Sequence, residues 1–269
     1  MLLLRSIELR PQPNPPKKFP YTLPFVKTLD RLDFVNEVTF LVGENGCGKS
    51  TLLEMLACAV GSITVGSESV RTDKTLAAVR DFSNRLKLSW SKRTRRGFFM
   101  RAEDFFGYAR KLAQIREDLE KDVLELDQEY KDRSQTAQGL AKLPYNREIG
   151  ALQQAYGEGL DSHSHGESFI KLFQERFTGE GLYLLDEPEA PLSPNRQLSL
   201  LVLIKSMVAQ HGQFIIATHS PILLAYPGAT ILSFEGGKIH TETYEALEHV
   251  ITMKTFLNDP QAYLRHLME

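Results

Sequence analysis

The chain has 269 residues, enough to bury a sizeable core as one large domain or two small ones. Hydrophobic residues make up 42% and charged residues 25%, the balance of an ordinary globular protein, and the formal net charge of −2 excludes a global pull toward nucleic acid or anionic membrane. No apolar run approaches the roughly 18 residues that a membrane-spanning helix requires, and two cysteines, Cys47 and Cys58, make no disulfide framework and suit a reducing cytoplasm.

The start, MLLLRSIELR, reads as a first strand over residues 1–9 and not as a signal peptide, because Arg5 and Glu8 interrupt its short apolar run. RPQPNPPKKFP (10–20) is a proline-rich loop. Val35–Val42 reads as a buried strand, and Ser50–Val60 as a helix stopped at Gly61. Between them stands GENGCGKST, residues 43–51, which fits G-x-x-x-x-G-K-[ST] with Gly43, Gly48, Lys49 and Ser50 in the fixed places. Backbone N–H groups of such a loop (Gly43, Glu44, Asn45, Gly46, Cys47, Gly48, Lys49, Ser50, Thr51) wrap a phosphate chain at the positive end of the following helix. Lys49 is expected to reach the β- and γ-phosphates of ATP, and Ser50 to ligand Mg²⁺.

Residues 61–75 read as a surface loop. Leu86–Trp90 and Gly97–Met100 read as two strands of a hairpin whose tip is SKRTRR. Around it cluster Arg85, Lys87, Lys92, Arg93, Arg95, Arg96 and Arg101, either a solvated loop tip or a surface for nucleic acid. Tyr108, Leu112, Ile115, Leu119, Val123, Leu126 and Tyr130 fall three or four apart and form the stripe of a long helix. Segment 131–165 is polar and reads as loop-rich, and Phe169–Phe177 as a short helix.

Gly181–Leu185 is a buried strand ending in Asp186 and Glu187. At the carboxyl edge of an α/β sheet, Asp186 can hold Mg²⁺ and Glu187 can polarise an attacking water as general base. Pro194–His211 is an amphipathic helix before Gly212, and Phe214–Ala217 another buried strand, followed by Thr218-His219-Ser220. His219, 33 residues past Asp186, is placed to contact a γ-phosphate. Thr230–His240 reads as a hairpin turning at Gly236-Gly237, and the remainder from about Tyr244 as mostly helical. Strands alternating with helices around buried runs imply an α/β sheet covered on both faces.

The phosphate loop, the segment Ser164-His165-Gly166-Glu167, LLDEP and T-H-S, in this order and spacing, resemble the ABC-type ATPase domain of the P-loop NTPases. The resemblance covers about residues 35–235. It implies one domain over 1–269 with a mixed sheet and a helical subdomain inserted at about 104–176. It also implies a head-to-tail homodimer with two ATPs between subunits, in which Ser164 and Gly166 touch the γ-phosphate in trans and Glu167 takes the usual glutamine place. His219 is then the switch histidine. The sequence departs from the family in three places. His163 and His165 replace Leu and Gly of the signature, Ser193 replaces the interface aspartate, and no glutamine follows FFMR, where Glu103 is the nearest substitute for contacting Mg²⁺ or water. Tyr21 or Phe25 would stack on adenine, or belong to the core.

Three roles follow from the resemblance. SHGES with LLDEPEAPLSP resembles soluble stand-alone ATPases akin to the DNA-repair, SMC-like and phage-defence ATPases, whose partner would be nucleic acid or protein. The alternatives are the nucleotide-binding subunit of a membrane transporter and a nucleotide-sensing switch with little turnover. The 115 residues from Lys49 to Ser164 leave no room for a long SMC coiled coil.

Overall fold

A computed structural model describes residues 1–65, 69–156 and 165–268. The elements run β1 (Leu4–Leu9), α1 (Pro24–Thr28), β2 (Arg31–Asp33), β3 (Val38–Val42), α2 (Lys49–Val60), β4 (Ile63–Thr64), α3 (Ala77–Ser83), β5 (Leu86–Trp90) and β6 (Phe98–Arg101). They continue with α4 (Ala102–Glu129), α5 (Gln135–Tyr156), α6 (His165–Arg176), β7 (Leu182–Asp186), α7 (Pro194–Ala209) and β8 (Gln213–Ala217). The last are α8 (Pro221–Leu224), β9 (Thr230–Ser233), β10 (His240–Glu242), α9 (Glu248–Asn258) and α10 (Pro260–Met268).

Seven strands form the central sheet in the order β10-β9-β3-β8-β7-β6-β4. All its neighbours pair parallel except β9 with β10, so the sheet is mixed. The parallel strands β3, β7 and β8 are buried at every residue, as continuous apolar runs such as VTFLV and LYLLD require. Their side chains alternate between two cores. Leu41, Leu184 and Ile215 pack with α2 and the smaller antiparallel sheet β2-β1-β5 on one face. Phe40, Leu185 and Ile216 pack with α6 and α7 on the other. Gln213 joins the two sheets, accepting from Leu3 N and Leu4 N at 3.0 and 2.8 Å and donating to Leu4 O at 2.9 Å.

Several expectations are corrected. Leu86–Trp90 and Phe98–Arg101 are not a hairpin. β5 pairs antiparallel with β1, whereas β6 pairs parallel with β4 and β7. Leu86 of β5 packs in the core under the small sheet, whereas β6 lies in the large sheet and sends Phe98 and Met100 into the opposite core, with Phe99 alone on the side of Leu86, so the two strands belong to different sheets. The loop 61–75 contains β4, and α3 follows it. Within the segment 131–165 read as loop-rich, α5 (Gln135–Tyr156) returns alongside α4, with Lys142 Nζ paired to Asp127, and residues 157–164 lie outside the described residues. Leu119, Val123 and Leu126 of the α4 stripe are half-buried rather than sealed in a core.

The strand read over Val35–Val42 begins only at Val38, with Val35 exposed, and the helix read over Pro194–His211 ends at Ala209, whereas the stop at Gly61 holds. Gly61 caps α2 at φ 73°, its N–H donating to Ala57 O at 3.0 Å. After α7 the left-handed residue is His211 (φ 64°). Gly212 is needed instead for close approach, since a Cβ there would lie 3.0 Å from Met207 O.

Candidate functional site

The phosphate loop links β3 to α2 at the carboxyl edge of the central sheet. Gly43, Gly46 and Gly48 have φ of 140°, 82° and 108°, a region in which L side chains are strained. Gly48 is also sterically required, because a Cβ there would meet the Phe25 ring at 2.5 Å. Phe25 is itself buried against Phe234, which rules it out as an adenine platform. Tyr21 packs edge to face on Phe82 beneath the Arg85 guanidinium.

Glu44, Asn45 and Gly46 are exposed, while Lys49 is buried. The Lys49 Nζ donates to Gly43 O at 2.7 Å and Glu44 O at 3.0 Å, and lies 3.9 Å from Cys47 Sγ. Its ammonium is therefore held inside the curve of its own loop. Lys49, Ser50 and Thr51 open α2, where backbone N–H groups have no intrahelical partner.

Ser50 Oγ donates to Asp186 Oδ1 at 3.2 Å. Asp186 ends β7 and is 8% exposed. Burial pushes its carboxyl up to about 6, against the Ser50 hydrogen bond, which lowers it. Glu187 follows at φ 50°, a left-handed conformation unfavourable for a non-glycine residue, and its N–H donates to Ala217 O at 2.9 Å. That hydrogen bond fixes the turn, and Glu187 Oε1 lies 4.0 Å from His219 Nε2. Burial, then the Lys49 charge, lower the His219 ring below its ordinary value, so the imidazole is neutral at pH 7.

Five sequence-derived positions are not brought into this cluster by described side chains. Ser164 and His163 lie outside the described residues. Gly166 and Glu167 are in the first turn of α6, the side chain of Glu167 lying outside the described residues. Glu103 is in the first turn of α4, its side chain likewise outside them. The helix that carries Gly166 is docked by Phe173, which stacks on Phe98 and packs edge to face on Phe169.

Three members of the basic cluster are engaged by carboxylates. Lys87 pairs with Glu8 at 2.8 Å and Lys92 with Glu180 at 2.6 Å. Arg101, 12% exposed, reaches Glu54 of α2, Asp73 and Asp104 of α4 at 3.3, 2.9 and 3.2 Å. It stands beside Asp186 in the register of β6 and β7.

Two positioning residues escaped the sequence reading. Glu189 Oε1 accepts the His219 backbone N–H at 2.7 Å. Gln197 of α7 donates to Leu192 O at 3.1 Å and accepts from Ser220 Oγ at 2.6 Å, tying the segment after LLDEP to T-H-S. The only signal for Glu189 was a second acid two residues past Glu187.

The family model described as ABC transporter matches residues 34–190, more than half of the chain. The chain belongs to the ABC-type ATPase family. Its fold is that of a P-loop NTPase. A second model, for an AAA domain of the AbiEii toxin and type IV toxin–antitoxin class, matches residues 160–225. No curated protein matches the chain. Among solved structures, a nucleotide-free ATP-binding cassette from an ABC transporter is 16% identical, with 97% of each chain covered and a TM-score of 0.45. The Smc head domain with an extended coiled coil, bound to the C-terminal domain of ScpA from Pyrococcus furiosus, is 12% identical, covering 97% of this chain and 100% of that one at a TM-score of 0.46. The cbiO1 structure from Clostridium perfringens, part of the ABC transporter complex cbiONQ, is 15% identical, covering 99% and 98% at a TM-score of 0.42. Among the described residues of this ABC ATPase, no helix is long and apolar enough to cross a membrane.

Proposed function

We propose that this ABC-type ATPase hydrolyses ATP as a nucleotide-sandwich homodimer, acting in DNA maintenance or defence. The observation that carries the reading is the convergence of Lys49, Ser50, Asp186, Glu187 and His219 at one sheet edge. Lys49 would leave its loop carbonyls for the β- and γ-phosphates. Glu187 would take a proton from the attacking water, and the neutral His219 would donate a hydrogen bond toward the terminal phosphate. The donors also fit a divalent cation. A buried carboxylate held by one hydroxyl gives hard oxygen ligands, so Ser50 and Asp186 would hold Mg²⁺. When bound, that ion neutralises charge on the phosphates.

The remaining walls come from the second subunit, whose Ser164 and Gly166 would close over the γ-phosphate. The helical elements α4 to α6 form the inserted subdomain in this reading. The match of residues 160–225 to the toxin-type AAA model supports the defence branch. A transporter subunit is the second reading, favoured by the description of the family model, and its membrane partner would be another chain.

A mixing experiment tests the arrangement. Lys49→Ala and Ser164→Arg homodimers each carry two defective sites. A mixed dimer gathers both lesions in one site and leaves the other intact. Turnover should return on mixing, and mixtures as inactive as the separate variants would contradict shared sites.

A further inference from the structure

The C-terminal helices add a wall to the site that the nucleotide motifs do not account for. A cavity of about 490 Å³ lies between Gly43 and Glu44 of the phosphate loop, His219, and the helix pair α9–α10. Leu247 and Val250 are buried and anchor the start of α9 in the core, which fixes His249 between them. The rings of His249 and His219 meet edge to face, with centroids 6.4 Å apart.

Nε2 of each ring is buried and has no hydrogen-bond partner among the described residues. Two such atoms side by side are costly, since an unsatisfied buried polar group forfeits its hydration. Burial lowers both rings below the ordinary histidine value; the Lys49 charge adds to this at His219, and at His249 the neighbouring His219 adds to it while Glu235 and Glu248 oppose it and Lys49 adds a smaller lowering. Both are thus neutral near pH 7 and within the field of the phosphate-loop lysine. A neutral imidazole with its proton on Nε2 is a donor that lacks an acceptor. Glu44, Glu235 and Glu248 also line the cavity, and their charges disfavour an anion at its outer part. The acceptor therefore belongs at the inner wall, where Gly43, His219 and His249 meet.

We propose that His249 is a second phosphate-contacting histidine, whose Nε2–H donates, beside that of His219, to an oxygen of the terminal phosphoryl group of a bound nucleoside triphosphate. This rests on the ATPase reading above. It makes α9 a part of the nucleotide site that senses the third phosphate, because a diphosphate ends short of the pair.

Calorimetry on the full chain with Mg²⁺ separates the cases, using a non-hydrolysable ATP analogue and ADP. His249→Ala should weaken the analogue about tenfold or more, as loss of a hydrogen bond to a charged group implies. ADP affinity should stay unchanged, and His249→Gln should recover part of the loss. Equal weakening of both nucleotides, or no change in either, overturns the inference while wild-type binding keeps the ATPase reading intact. Wild-type protein that binds neither nucleotide overturns both. Should His249→Ala fail to fold, histidine ring ¹⁵N spectra of the wild-type protein give the answer. The His249 Nε2 signal should move with the analogue and stay with ADP, and an Nε2 signal indifferent to the analogue overturns the proposal.

Discussion

Ser50 Oγ donates a hydrogen bond to Asp186 Oδ1 at 3.2 Å, although 136 residues separate them. The bond brings the first turn of α2 to the end of β7, beside the lysine that the phosphate loop folds around. Asp186 remains buried there with its carboxyl pushed up to about 6, so it gains from a cation.

Lys49→Ala should abolish binding of Mg-ATP and leave the fold intact. Among the described residues the ammonium bonds to carbonyls of its own loop and lies near a neighbouring thiol. Calorimetry together with a circular dichroism spectrum checks this, and undiminished affinity in a folded variant would refute the phosphate-loop assignment.

The two cysteines should behave differently toward alkylation. Burial pushes the Cys58 thiol up to about 11, so its labelling should be slow at pH 8 and rise as pH approaches that value. Cys47 lies within the loop, and its labelling should slow when ATP covers it. Mass spectrometry of peptides labelled with and without ATP would detect both effects, and equal Cys47 rates would count against nucleotide at the loop.

Glu189→Ala should lower turnover more than it lowers ATP affinity. It removes the acceptor of the His219 N–H and leaves that group unpaired, at a cost of about 1–3 kcal/mol. Steady-state kinetics and thermal unfolding report the two consequences. Unaltered kcat would show that the His219 backbone needs no such anchor.

Arg101→Met should destabilise the protein by about 3 kcal/mol or more, since three partly buried carboxylates lose their shared cation. Lys92→Ala, which breaks the exposed pair with Glu180, should change stability little. Urea denaturation of both variants provides the contrast, and equal midpoints would mean that the Arg101 cluster is not stabilising.

The central strands were legible because parallel strands covered on both faces must be continuous apolar runs, as VTFLV, LYLLD and FIIA are. The loop glycines and the Ser50, Asp186 and Glu187 positions were legible because chemistry fixes their spacing around strand ends. The β5–β6 hairpin was misread because two short strands across a polar gap look local, whereas Leu86 and Phe98 fill different cores. α5 was missed because its half-exposed surface and Pro144 carry a weak helical signal. Glu189 and His249 gain their roles from contacts with His219, 30 residues away in each case, which no local pattern announces.

The most direct test of the shared-site mechanism is the mass of Glu187→Gln protein with and without saturating Mg-ATP, measured by light scattering on an eluting column. The variant keeps the site's shape and removes the base, so ATP should persist and hold two subunits together. A dimer with ATP and a monomer without it is the predicted result. A monomer at high concentration with saturating Mg-ATP, alongside wild-type turnover per subunit that does not vary with protein concentration, would contradict the mechanism.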